Sequence, residues 1–291
     1  MEFEKQLLEK IKNPEGANVV IDLKIMRHGE REGKMLNDLG REQTKEAAVK
    51  SGIGKEDYDA IKAIGSNADP IGEKKIGRSL ETADIYANEI AGDDKFRTRA
   101  NKLLSHENII SPKPYNHLQV YNSFLPENFG DLSPEEKAQA SKVAQAKTVE
   151  YSGSLDSLEA KNYRKEAAGA YACLIKHYQK MATKLKSGSK VLIPAGTHGG
   201  MIEFILEYAL VREDETGEKM VGFENIEEIG GAFNPSEAFN IKIATSEDGK
   251  QLPIGVTFDN PARSKAKKMY LDPKMINELN NFYLSLHNKT V

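Results

Sequence analysis

Six histidines occur in the 291-residue chain, and two of them stand in the same setting. His28 follows the apolar run Val19-Val20-Ile21-Asp22-Leu23-Lys24-Ile25-Met26 and precedes Gly29. His198 follows Lys190-Val191-Leu192-Ile193-Pro194-Ala195-Gly196-Thr197 and precedes Gly199-Gly200. Arg27 stands directly before His28, and Arg78 opens the run Arg78-Ser79-Leu80-Glu81-Thr82-Ala83. A neutral, oriented imidazole is a competent phosphoryl acceptor. Two guanidinium groups hold a tetrahedral anion through forked, charge-assisted bonds. A helix N-terminus adds N–H donors and a favourable dipole, and glycine beside the histidine lets the backbone approach the anion closely. A lone histidine at a strand end is more often a hydrogen-bonded structural residue, so the argument rests on the combination and its chain order.

The elements that must position these residues follow from periodicity. The β-branched run over 19–26 reads as a strand emptying into Arg27-His28-Gly29-Glu30, and open α/β sheets build sites at the carboxyl ends of their strands. Further strands are expected over 59–64, 96–104 and 190–195, and a hairpin over 238–245 and 251–258 around Glu247-Asp248-Gly249. Helices are expected over 2–12, 39–51, 80–90, 134–151, 201–210 and 273–287. A long helix over 155–186 is expected from a stripe of Leu155, Leu158, Tyr163, Ala167, Ala170, Leu174, Tyr178, Met181 and Leu185. Residues 108–129 carry no clear period and read as an ordered loop. Alternating strands and helices predict an α/β protein, a three-layer α/β/α arrangement with a mostly parallel central sheet. One domain over 1–291 is expected, with a largely helical segment over 92–187 inserted near the site as a cap.

Composition excludes several classes. There are 41 Lys+Arg against 44 Asp+Glu, a net charge of -3, which lacks the basic excess of a nucleic-acid footprint. No uninterrupted apolar run is long enough to span a membrane, and the first residues lack the apolar core of a signal peptide, so a cytoplasmic location is expected. The single cysteine, Cys173, can form no intramolecular disulfide and no cysteine-based metal site.

The motifs together resemble the histidine phosphatase superfamily, also called phosphoglycerate mutase-like. Ile25-Met26-Arg27-His28-Gly29-Glu30 carries the likeness first. Leu36-Asn37-Asp38-Leu39-Gly40-Arg41-Glu42-Gln43 resembles the family's Leu-Thr-x-x-Gly-x-x-Gln start of a helix. Gly77-Arg78-Ser79-Leu80-Glu81-Thr82-Ala83 resembles its Arg-x-x-x-Thr-Ala motif, and Gly196-Thr197-His198-Gly199-Gly200 its second histidine motif. The resemblance covers mainly residues 19–90 and 188–210. It implies a metal-independent phosphomonoester hydrolase without cofactor, in which His28 takes the phosphoryl group and Arg27, Arg78 and His198 line the phosphate pocket. The implied partner is a small phosphorylated molecule, with a phosphoprotein as the alternative. A phosphoglycerate-type mutase or a catalytically weak phosphate-binding protein are the competing readings; the absence of tryptophan disfavours the mutase.

The chain also departs from the family. Many members have an asparagine six residues after the nucleophile, where this chain has Lys34, so Arg31 or Lys34 is the candidate replacement. Residues 66–75 look like an insertion before Arg78. The general acid that protonates the leaving alcohol is expected in the middle of the chain, because Gly199 occupies the place after the second histidine. Glu107 is the first candidate and Glu127 the second, with His106 and His117 behind them.

Overall fold

The computed structural model describes residues 15–67, 76–93, 95 and 98–287. The helix expected over 2–12 and most of the insertion before Arg78 lie outside the described residues.

In chain order, β1 (Val20–Arg27) leads into a two-stranded ribbon of β2 (Arg31–Glu32) and β3 (Met35–Leu36). Helix α1 (Asp38–Lys50) follows, its N-cap Asn37 accepting a bond from the Gly40 amide at 2.8 Å. The strand expected over 59–64 is two short strands, β4 (Ala60–Ile61) and β5 (Ala63–Gly65). Helix α2 (Arg78–Ala91) ends at Gly92 in the left-handed conformation that glycine adopts freely. Strand β6 (Thr98–Ala100) is shorter than expected, and the chain then turns through two short 3-10 segments, Lys102–Leu104 and His106–Asn108.

The region read as an ordered loop contains a helix, α3 (His117–Ser123). Helix α4 (Pro134–Ser154) starts in a capping box in which Ser133 and Glu136 satisfy each other's backbone amides. The long helix α5 (Leu158–Ala182) begins three residues later than its apolar stripe suggests. The hydroxyl of Ser157 accepts a bond from the Ala160 amide and ends the continuity with α4, leaving Leu158 71% exposed. After it come β7 (Lys190–Thr197), α6 (Ile202–Ala209), β8 (Leu210–Glu213) and β9 (Lys219–Val221). The last elements are β10 (Ala238–Ala244), β11 (Gly255–Phe258), β12 (Lys268–Leu271) and α7 (Pro273–His287).

One large sheet runs in the order β6-β5-β7-β1-β10-β11-β12-β8-β9, with β4 also pairing β7. Its parallel character is confined to the half that carries the two histidine motifs: β6, β5, β7 and β1 are mutually parallel, and every pair from β1–β10 to β8–β9 is antiparallel. Strands β8, β9 and β12, unexpected from sequence, complete the antiparallel half. The alternation along β1 explains the three layers. Ile21, Leu23 and Ile25 join the core containing Tyr171, Leu174 and Ile175 of α5 and Ile205 of α6, while Met26 packs with Ala48 of α1 and Tyr86 of α2. All five side chains from β1 and α2 named here are at most 1% exposed, a sheet covered on both faces.

The segment read as a cap divides. Strand β6 extends the sheet and α5 packs beneath it, so only residues from about His106 to α4 stand over the strand ends. The root of this part is held by Glu166, a fully buried carboxylate on α5. It accepts bonds from the amides of Ile110 and Ser111 at 2.8 Å each and meets His287 Nε2 of α7 at 2.9 Å.

Candidate active site

Register brings the two histidines together. β1 and β7 are adjacent and parallel, with Arg27 opposite Thr197. The His28 amide donates to the Thr197 carbonyl at 2.9 Å, which puts both strand ends at one level. The rings of His28 and His198 lie 5.4 Å apart, edge to face. His28 Nδ1 lies 2.8 Å from its neighbour's carbonyl, Gly29 O. A carbonyl only accepts, so Nδ1 carries the proton and Nε2 keeps its lone pair. Burial, then the positive surroundings of His198, Arg78 and Arg27, hold His28 well below the ordinary histidine range. The ring is neutral at neutral pH, as a nucleophile requires.

The arginine of α2 reaches the same point because the helix start presses onto the sheet. A Cβ added to Gly196 would lie 1.9 Å from the Ser79 carbonyl oxygen, so only glycine allows this approach. Arg78 Nη2 then lies 3.4 Å from His198 Nδ1, and His198 Nε2 lies 3.1 Å from Ser66 Oγ at the end of β5. A guanidinium only donates, so the neutral His198 carries its proton on Nε2. Burial and the Arg78 charge hold it too well below the ordinary range. Thr82, one turn into α2, is fully buried. Its hydroxyl accepts from the Gly29 amide at 3.1 Å and donates to the Arg78 carbonyl at 2.8 Å, tying the helix to the loop of His28. Gln43 Oε1 takes the Glu30 amide at 3.2 Å. The motif residues beyond the charged ones thus act as braces.

Arg27 is also turned toward the site. Its Nη1 donates to the Phe233 carbonyl at 2.7 Å, while its buried Nε has no hydrogen-bond partner. Behind it lies Glu203, a fully buried carboxylate that accepts the Gly200 amide at 2.8 Å. Burial raises the Glu203 carboxyl, with the positive charge of Arg27 acting against that rise.

These groups form one end of a cavity of about 680 Å³. Arg27, His28, Arg31, Arg78 and His198 line it from the strand and helix ends. Lys113, Tyr115, His117, Tyr121 and Gln145 line it from the cap, and His106 stands beside His198 with 5.0 Å between ring centres. Glu30 is the one carboxylate among the described lining residues. Neither Glu107 nor Glu127 belongs to the lining; both side chains are exposed. In the 3-10 turn over His106–Asn108, Ser105 caps the Glu107 amide at 3.3 Å, and successive residues point in different directions, so His106 faces the cavity while Glu107 faces solvent. Neither glutamate expected to protonate the leaving group is thus placed against the cavity. Arg31 lines the cavity mouth and donates to the Gly33 carbonyl at 2.9 Å, whereas Lys34 does not line it. Gln145 and Glu203 carry no signal in the sequence, because nothing around them distinguishes them from helix-surface residues.

No family model matches the chain, and no curated protein matches it. Among solved structures, the native structure of mycobacterial glucosyl-3-phosphoglycerate phosphatase is similar at 15% identity, over 82% of this chain and 98% of that one, with a TM-score of 0.41. Its complex with inorganic phosphate aligns at 16% identity over 84% and 98%, with a TM-score of 0.34. Among the described residues no helix is long and apolar enough to cross a membrane.

Proposed function

We propose that this chain is a metal-independent phosphomonoester hydrolase that works through a phosphohistidine on His28. The observation that carries the reading is the state of that ring: neutral, with Nδ1–H fixed on Gly29 O and Nε2 free, inside a ring of Arg27, Arg78 and His198. In the first step Nε2 attacks phosphorus and the ester P–O bond breaks. In the second, water attacks phosphorus and the N–P bond returns its electrons to Nε2. Arg27 and Arg78 neutralise the charge on the non-bridging oxygens at both stages, the contribution that preorganised donors make in a water-poor site. The lone pair of His198 Nδ1 faces Arg78 Nη2 at 3.4 Å and its Nε2 proton is engaged by Ser66, so that ring holds Arg78 in the pocket rather than competing as nucleophile. A cavity of about 680 Å³ leaves room for a small organic leaving group, which supports a small phosphorylated molecule as substrate.

The test is release of inorganic phosphate from an aryl phosphate with a metal chelator present, together with a quench using phosphorus-labelled substrate. Expected are turnover unaffected by chelator and a base-stable, acid-labile label on the protein. His28→Asn should lose the label and at least about 10⁴ of the rate, as removal of a nucleophile does in other covalent mechanisms. Full turnover, or retained label, in that variant overturns the reading.

A further inference from the structure

The proposed reaction needs a proton for the departing alkoxide, and the glutamates first considered for it lie outside the cavity. His28 stands on the sheet side. In-line displacement requires the leaving oxygen to depart away from it, toward the wall supplied by the cap. Two buried donors, Arg27 Nε from the strand end and Gln145 Nε2 from the cap, lie where floor and cap meet. Arg27 Nε and Gln145 Nε2 are both buried without hydrogen-bond partners, a costly state for groups that are meant to stay empty. They meet over Gly199-Gly200: a Cβ added to Gly199 would lie 3.0 Å from Arg27 Nε and 3.4 Å from Gln145 Cδ. A Cβ added to Gly200 would lie 3.4 Å from Gln145 Nε2 and 3.6 Å from His117 Cε1. The paired glycines leave a space that the cap fills with an amide and an imidazole.

Resting on the phosphatase reading, we propose that His117, from the first turn of α3, is the catalytic acid and base at this position. Several groups face it: Tyr115 and Lys113 from its own loop, His106 from the preceding turn, Arg27 from β1 and Arg31 from β2, with Glu30 and Tyr121 on the same cavity. The residue as a whole is exposed, yet crowding of its ring by protein atoms and then the positive neighbours push the ring down to about 4. Arrival of a phosphate dianion cancels that positive field. His117 then takes a proton from solvent and stands charged beside the ester oxygen. As the P–O bond breaks, the proton passes to the alkoxide and the alcohol leaves. The neutral ring next accepts a proton from the water that attacks phosphohistidine, and phosphate departs with the ring ready for another cycle. The net change is ester plus water to alcohol plus phosphate.

The experiment compares an alkyl phosphate with an activated aryl phosphate in the wild-type chain, His117→Asn and His106→Asn. A poor leaving group needs the proton, so alkyl turnover in His117→Asn should fall by about 10²–10⁴-fold. Formation of the labelled phosphoprotein from the aryl ester should fall by less than about 10-fold, because that leaving group departs without help. The phosphoenzyme should then accumulate, and the alkaline limb of the wild-type pH profile should disappear. Equal falls in the rate of phosphoenzyme formation from the two substrates, no fall, or the leaving-group-dependent pattern in His106→Asn instead would overturn the assignment. Label on His28 from the aryl ester in any of these variants keeps the phosphatase reading standing on its own. Failure of the wild-type chain to form it removes both.

Discussion

The floor of the cavity, at the ends of β1, β5 and β7, and the cap above it are held by different means. On the floor, His28, Thr82 and His198 are buried, the α2 start is pressed on Gly196, and nearly every motif residue has a fixed hydrogen-bond partner. In the cap, α3 buries none of its residues and Leu118 is 59% exposed, while the flanking parts are tied to the body by the Glu166 bonds to Ile110 and Ser111 and by Ile109 and Val149 in the main core. Catalysis by charge stabilisation needs groups that do not reorganise during reaction, and substrate selection needs a wall that can vary. The packed strand ends suit the first requirement, and the exposed helix α3 suits the second.

The contrast can be broken at its strongest point. Arg78→Ala removes a floor donor, and the rate should fall by about 10²–10³ while the protein stays folded. Steady-state kinetics with circular dichroism would check this; a loss below about 10-fold would mean that Arg78 does not hold the anion. A second measurement uses acid. His28 and His198 are held neutral in the fold, whereas in the unfolded chain each titrates near 6.5. Below that pH the unfolded state binds protons that the folded state refuses, so stability is full above about 6.5 and falls as pH falls toward the folded values. Each ring contributes a slope of up to about 1.4 kcal/mol per pH unit in that window. Urea midpoints at pH 7.5 and 5.0 should show the loss, and His198→Gln should flatten it. The smallest effects compare the two regions directly. Gly196→Ala drives a methyl into the Ser79 carbonyl and should cost about 1–3 kcal/mol. Leu118→Ala, on the exposed cap helix, should stay within about 0.5 kcal/mol. Equal costs would mean that the cap is packed as tightly as the floor.

The same division governs what could be read without coordinates. The floor was legible because its chemistry and its structure share residues: a β-branched run must be a strand, its end must open on a loop, and Arg27-His28-Gly29 lies there. The helix and strand placements of this part shift by only a residue or two. The cap was not legible. Helix α3 carries no apolar stripe since it buries no face, so residues 108–129 looked like loop. His106 rather than Glu107 faces the cavity because a three-residue 3-10 turn sets which of two adjacent side chains points inward, a matter no periodicity records. Gln145 sits in a helix of mixed polarity, and only the neighbouring Gly199-Gly200 gives it a purpose. The antiparallel half of the sheet escaped in part because β8, β9 and β12 are only three or four residues long.

The bond from His287 to Glu166 couples the last helix of the chain to the root of the cap. Glu166 is shared: one of its oxygens serves both the Ile110 amide and the last turn of α7. Fraying of that turn removes one donor from a carboxylate with no access to water, and the strain falls on the two amides at the root of the cap. A fusion or a truncation at the C-terminus, remote from every catalytic group, is therefore mechanically connected to the wall that carries His117.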